Sequence, residues 1–203
     1  MKKKFFFGIF LAFTLILTLY SSNSESKNHK NLENLIYLQL KHGRVVIKTF
    51  PDVAPKTVNR IKELSKEGFY DGLKFHRVIA GFMAQTGDPR GDGTGGSDKS
   101  DLPAEFNDIS HTRGIVSMAR ANDPNSANSQ FFICLDDSTF LDGQYTAWGE
   151  VISGMHAVDK IKLGEGDNGK VLGEPSRIIS MKVAANEESD NKPSVPDDAK
   201  TKK

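Results

Sequence analysis

The stretch Phe75-His76-Arg77-Val78-Ile79-Ala80-Gly81-Phe82-Met83-Ala84-Gln85-Thr86-Gly87-Asp88 decides how this chain is read. Apolar side chains crowd it, with one arginine and one glutamine set among them. Taken alone, Phe75, Val78, Ile79, Phe82 and Met83 read as core residues, and Arg77 as a structural ion-pair partner. The weight shifts when two later stretches are set beside it. These are Gly114-Ile115-Val116-Ser117-Met118-Ala119-Arg120-Ala121 and Asn128-Ser129-Gln130-Phe131-Phe132-Ile133.

Outward from these stretches the chain reads as short strands. Leu35–Leu40 and Val45–Phe50 are β-rich runs separated by Lys41-His42-Gly43-Arg44, a hairpin signal. Leu73–Ile79, Ile115–Met118, Gln130–Leu135, Thr146–Ile152 and Ile178–Val183 are further strand-like runs. Between the first pair and the rest, Val58, Ile61 and Leu64 fall at helical spacing after Pro55, and Gly68 ends the pattern. That predicts a glycine-capped helix. A shorter helix fits Met155–Ile161. The connections are rich in Gly, Asp, Asn and Pro. Many short strands with two helices predict a β-barrel or sandwich with helical plugs, not a βαβ fold.

Several chemistries find no support. The net charge is +1, which argues against a nucleic-acid surface. Cys134 is the single cysteine, so no intramolecular disulfide forms, and its apolar surroundings predict a small buried core residue. No two of His29, His42, His76, His111 and His156 have the i, i+4 spacing of a helical zinc site, so no metal is expected. The Asp88–Asp98 segment lacks the acidic spacing of an EF-hand and the Gly-Lys-Ser/Thr ending of a phosphate loop. It reads as a long surface loop whose glycines take positive φ. No Gly-x-Ser-x-Gly elbow appears.

Phe-His-Arg-x-Ile-x-Gly-Phe-Met-x-Gln-x-Gly-Asp at 75–88, Gly-Thr-Gly-Gly at 93–96, Ser-Gln-Phe-Phe-Ile at 129–133 and Leu-Asp-Gly at 141–143 together resemble the cyclophilin family. The likeness runs in order through most of the chain, and Met118-Ala119-Arg120 looks most like bacterial members. The resemblance implies a mainly β fold, a closed antiparallel eight-stranded β-barrel capped by two α-helices. It also implies peptidyl-prolyl cis/trans isomerase activity without a cofactor. The barrier to peptide-bond rotation is ~18–20 kcal/mol. No bond is made or broken, so an enzyme need only bind the twisted amide better than the planar one.

By the same resemblance Arg77 is the catalytic arginine, aiming a fixed fork of donors at the prolyl nitrogen and the neighbouring carbonyl. Phe82, Met83, Phe132 and Leu141 match the proline pocket. Gln85 matches the residue that bonds substrate backbone and orients Arg77. Ala119, Arg120 and Gln130 match the subsite preceding the proline, and Gly93 another part of the groove. Phe140 stands where many eukaryotic members carry Trp, whose N–H bonds cyclosporin, so weak cyclosporin binding is expected. Tyr145 stands where those members carry His. Trp148, the single tryptophan, reads as core packing.

The ends read differently. Met1-Lys2-Lys3-Lys4, the apolar run Phe5–Tyr20 and the polar stretch that follows form a secretory-signal pattern. The run is shorter than the ~20 residues of a usual spanning helix. Residues 1–24 are therefore expected to be a signal peptide or an N-terminal membrane anchor, and 25–33 a linker. Without residues 1–24 the chain carries 24 basic against 26 acidic residues. Residues 34–184 form the expected domain, and 185–203, charged and without aromatics, a disordered tail. These features predict an exported, periplasmic or secreted monomer acting on proline-containing polypeptides. Its membrane contact is confined to the N-terminal segment, possible anchoring falling at residues 5–20. The alternative is a chaperone-like module that binds proline segments with little turnover.

Overall fold

The computed structural model describes residues 31–190. The expected signal or anchor lies outside the described residues, as do 25–30 of the linker and 191–203 of the tail. Among the described residues no helix is long and apolar enough to cross a membrane.

Eight strands form one antiparallel sheet: β1 Leu35–Leu40, β2 Gly43–Thr49, β3 Arg77–Ile79, β4 Met83–Thr86, β5 Ile115–Met118, β6 Phe131–Cys134, β7 Ala147–Ser153 and β8 Ser180–Val183. Their spatial order is β3-β4-β6-β5-β7-β2-β1-β8. Register shifts at Val46/Ile47 and Val116/Ser117 interrupt the pairing with β7, and such irregularities bend a sheet. The sheet curls until its two edges meet ahead of β3 and β8. Gly72 N–H donates to Ile178 O (2.8 Å), Ile178 N–H to Leu73 O (2.9 Å) and Phe75 N–H to Ser176 O (2.9 Å). Lys74 bridges Arg177 there. β3 and β8 themselves share no ladder, so closure is limited to this short seam.

Helix α1, Pro55–Lys66, starts on its proline and ends as its spacing predicts. Gly68 takes φ +71°, and Phe69 N–H donates to Leu64 O (3.0 Å), Gly68 N–H to Ser65 O (3.2 Å). Its Val58, Ile61 and Leu64 enter the main core. Helix α2 spans only Met155–Val158 but supplies Ala157 and Val158 to the same core. The core also holds Trp148, whose ring stands edge-on to Phe131 at 5.6 Å.

One strand lies outside the expected runs, and one expected boundary needs correction. Met83–Thr86 is a strand, although its Ala-Gln-Thr content gives no β signal by itself; a tight turn after β3 folds it back as a hairpin. Residues 185–190 belong to helix α3, Ala184–Asp190, and not to a tail. Ala184 and Ala185 are buried, and Arg44 pairs with Glu187 at 2.9 Å while lying over the Tyr37 ring. Two buried alanines and the Glu187 ion pair both hold the first turn.

Candidate active site

Side chains on a strand alternate between two faces. In β3, β4, β5 and β6 both faces are used. Val78, Ala84, Val116, Met118, Phe131 and Ile133 enter the main core. Met83, Ile115, Phe132 and Cys134 turn the other way and form a second apolar cluster with Leu141 and Ala147. That is why Ile-Val-Ser-Met and Phe-Phe-Ile-Cys read as nearly unbroken apolar runs and are buried throughout. Cys134 is fully buried, and burial pushes its thiol up to about 12, which leaves it inert.

The register sets the polar groups beside this second cluster. Arg77 pairs with Gln85 across β3–β4, and Gln85 with Phe132 across β4–β6. Arg77 Nη1 donates to Gln85 Oε1 (3.3 Å) and lies 3.8 Å from Met83 Sδ, and Nε donates to Asn168 O (2.9 Å). All three partners are uncharged, and among the described residues no carboxylate pairs with Arg77. Burial lowers its pKa, and Tyr145 opposes that shift. Guanidinium stays charged through any such shift. The structural ion-pair reading of Arg77 therefore does not hold.

A chain of amides continues from Arg77. Gln85 Nε2 donates to Gln130 Oε1 (2.9 Å), and Gln130 Nε2 donates to Gly93 O (3.1 Å) and Gly95 O (2.8 Å). The loop carrying those carbonyls is held by Asp88. Its carboxylate accepts from Arg90 N (2.8 Å), Asp92 N (3.0 Å) and Gly93 N (2.6 Å). Burial alone would raise the Asp88 pKa; the backbone N–H groups outweigh it and hold the carboxyl below its ordinary value. Gly93 sits at φ +93°, a conformation side chains rarely adopt.

Two adjoining depressions make one groove. The first, about 280 Å³, is lined by Arg77, Phe82, Met83, Gln85, Ala119, Arg120, Phe132, Phe140, Leu141 and Tyr145. The second, about 340 Å³, contains Gly93 and Gln130 and shares Gln85, Ala119 and Arg120 with the first. All twelve residues singled out in the sequence thus lie along one groove. Phe140, 65% exposed, packs its ring 5.4 Å from Phe82 at one rim. Phe132 meets Tyr145 edge-on at 5.9 Å.

Sequence reasoning missed the supports behind this wall. His111 is fully buried and stacks on Phe132 with ring centroids 6.3 Å apart. Its Nδ1 lies 3.0 Å from Asp142 Oδ1 and its Nε2 3.0 Å from Ser117 Oγ. A carboxylate only accepts, so the ring donates from Nδ1 to Asp142, and its Nε2 shares a hydrogen bond with the Ser117 hydroxyl. Asp142 also accepts from His111 N (2.7 Å) and Ser110 Oγ (2.8 Å), which hold its carboxyl below the ordinary value, the His111 N–H foremost. The order is that of a hydrolytic triad, yet Ser117 has no exposed surface for a substrate to reach. The array is a strut that ties β5, Phe132 and the turn after Leu141 together. Asn168 was missed too, because it acts through its carbonyl, which carries no side-chain signature.

Residues 35–183 match the family model described as cyclophilin type peptidyl-prolyl cis-trans isomerase. A probable peptidyl-prolyl cis-trans isomerase of Brucella abortus is 54% identical over 165 residues, covering 75% of this chain and 84% of that protein. A peptidyl-prolyl cis-trans isomerase of Schizosaccharomyces pombe is 42% identical, covering 71% and 95%. A crystal structure of a Cryptosporidium parvum cyclophilin type isomerase in the presence of the dipeptide Ala-Pro aligns with TM-score 0.67 at 27% identity, covering 73% and 98%. Sheet, groove and relatives agree: the chain belongs to the cyclophilin-type peptidyl-prolyl cis/trans isomerases and is an enzyme of that activity.

Proposed function

We propose that the groove binds a proline-containing polypeptide with the prolyl ring in the depression of Phe82, Met83, Phe132 and Leu141, and the preceding residue at Ala119, Arg120 and Gln130. The twisted amide has less charge separation than the planar one, so the apolar wall favours it. Its nitrogen regains a lone pair, and Arg77 supplies donors there. The observation that carries this reading is the holding of Arg77 by Asn168 O, Gln85 Oε1 and Met83 Sδ beside an apolar depression. Neutral acceptors fix the guanidinium without neutralising it, so its charge is preorganised before substrate arrives. The Ala-Pro dipeptide present with the Cryptosporidium parvum relative fits the same class of ligand.

Isomerisation of a short Ala-Pro peptide tests the assignment. Arg77→Ala is expected to lose roughly 10²–10³ in kcat/KM, the scale of one preorganised donor. Arg77→Lys keeps the charge but not the fork and is expected to recover only part of the loss. Equal rates for wild type and Arg77→Ala would overturn the reading.

A further inference from the structure

We infer that this groove selects substrates by charge: Arg120 makes it prefer an acidic residue, Glu or Asp, immediately before the proline. The inference rests on the placement of the peptide proposed above and deepens it. Arg120 lines both depressions, so it stands at the junction that a peptide must cross between them. Its guanidinium is fixed there. Nε and Nη2 donate to Gln144 O (3.3 and 3.1 Å), and Nη1 donates to Ala121 O (2.9 Å) and Asn122 O (3.3 Å). The guanidinium carbon lies 4.6 Å from the centre of the Tyr145 ring.

Every one of those acceptors is neutral. Among the described residues no ion pair involves Arg120 or Arg77. The proline-sized depression is therefore lined by two cations and no carboxylate. The one acid in the adjoining depression, Asp101, accepts from Asn128 Nδ2 (3.0 Å) and does not line the proline-sized depression. A side chain next to the proline thus meets uncompensated positive charge over an apolar wall. An acid gains from that field and a lysine loses.

The field acts on the substrate whether its prolyl bond is planar or twisted. Attraction that is equal in both states changes KM and leaves kcat alone. Two charges several ångströms apart in a partly wet groove give a preference of about three- to tenfold between Glu-Pro and Lys-Pro in kcat/KM.

The experiment measures kcat and KM for peptides that differ only in Glu, Ala or Lys before the proline. Wild type is expected to rank Glu above Ala above Lys through KM. The ranking should collapse toward equality at 1 M salt, where the screening length is ~3 Å. Arg120→Gln should remove most of the Glu/Lys ratio, leaving the smaller share due to Arg77, Arg120→Lys should keep most of it, and Arg120→Glu should invert it. Because each ratio is internal to one variant, a general loss of activity does not obscure it, and the salt series needs no variant. Turnover of Ala-Pro with equal Glu-Pro and Lys-Pro rates overturns this inference alone, as does a wild-type ratio retained by Arg120→Gln. Acceleration of no peptide at all overturns the underlying placement as well.

Discussion

At the scale of the residue, the groove depends on side chains that never touch it. His111 bonds Asp142 and Ser117 and backs Phe132, so it links three parts of the apolar wall. His111→Ala removes a fully buried ring and leaves the Ser117 hydroxyl buried without its partner. The expected cost is about 2–4 kcal/mol of stability. His111→Asn can keep the bond to Asp142 and should recover part of it. If His111 positions the wall, kcat/KM of the folded His111→Asn enzyme also falls while the Arg77 contacts stay intact; unchanged stability and activity would sink this account. None of this was legible in the sequence. The positions 111, 117 and 142 meet only because β5 pairs β6 and the turn after Leu141 folds over both. By contrast Arg77, Phe82, Met83, Gln85 and Phe132 were legible, because they lie in contiguous motifs that resemble those of the cyclophilin family.

At the scale of the element, the β3–β4 hairpin and the 88–97 loop divide the work. The hairpin is rigid through its ladder to β6, and it carries Arg77, Met83 and Gln85. The loop has no ladder, and Asp88 replaces one by collecting backbone N–H groups. Asp88→Asn retains one acceptor oxygen and loses the charge, with an expected cost of roughly 1–3 kcal/mol. Freed carbonyls at Gly93 and Gly95 would no longer hold Gln130, so KM should rise more than kcat falls. Thermal unfolding and the kinetics of one peptide check both halves; a variant that melts and turns over like wild type refutes the role. The sequence marked this segment as a glycine-rich loop but gave no hint that Asp88 organises it. It also hid β4, whose Ala84 and Gln85 have little strand preference; the hairpin turn and the pairing with β6 override that preference. Helix α3 was hidden in the same way, since tertiary burial of Ala184 and Ala185 decides it.

At the scale of the whole molecule, the titration of His76, Asp88 and Asp142 contributes to how stability varies with pH. His76 is buried between the main core and the 88–97 loop, 3.8 Å from where a side chain at Gly93 would begin. Burial lowers its pKa, partly opposed by Asp88 and Asp92 and aided by Arg77. The unfolded chain therefore takes up this proton first, at its ordinary value near ~6.5. Stability is full above that value and falls as pH drops toward the lowered one, by at most about 1.4 kcal/mol per pH unit. Asp88 and Asp142 act further down. Their folded pKa values lie below the ordinary one near ~3.9, so their contribution is complete above it and is lost as pH falls through the folded values. Two separate declines follow, one starting near pH 6.5 and one below pH 4. Denaturant midpoints from pH 8 to pH 3 should show both. His76→Gln should flatten the upper decline and leave the lower, while Asp88→Asn should weaken the lower, which Asp142 keeps in part, and carry the upper to lower pH by removing a charge that opposes the His76 shift. An upper decline of the same slope in His76→Gln would assign it to another group and remove His76 from the account.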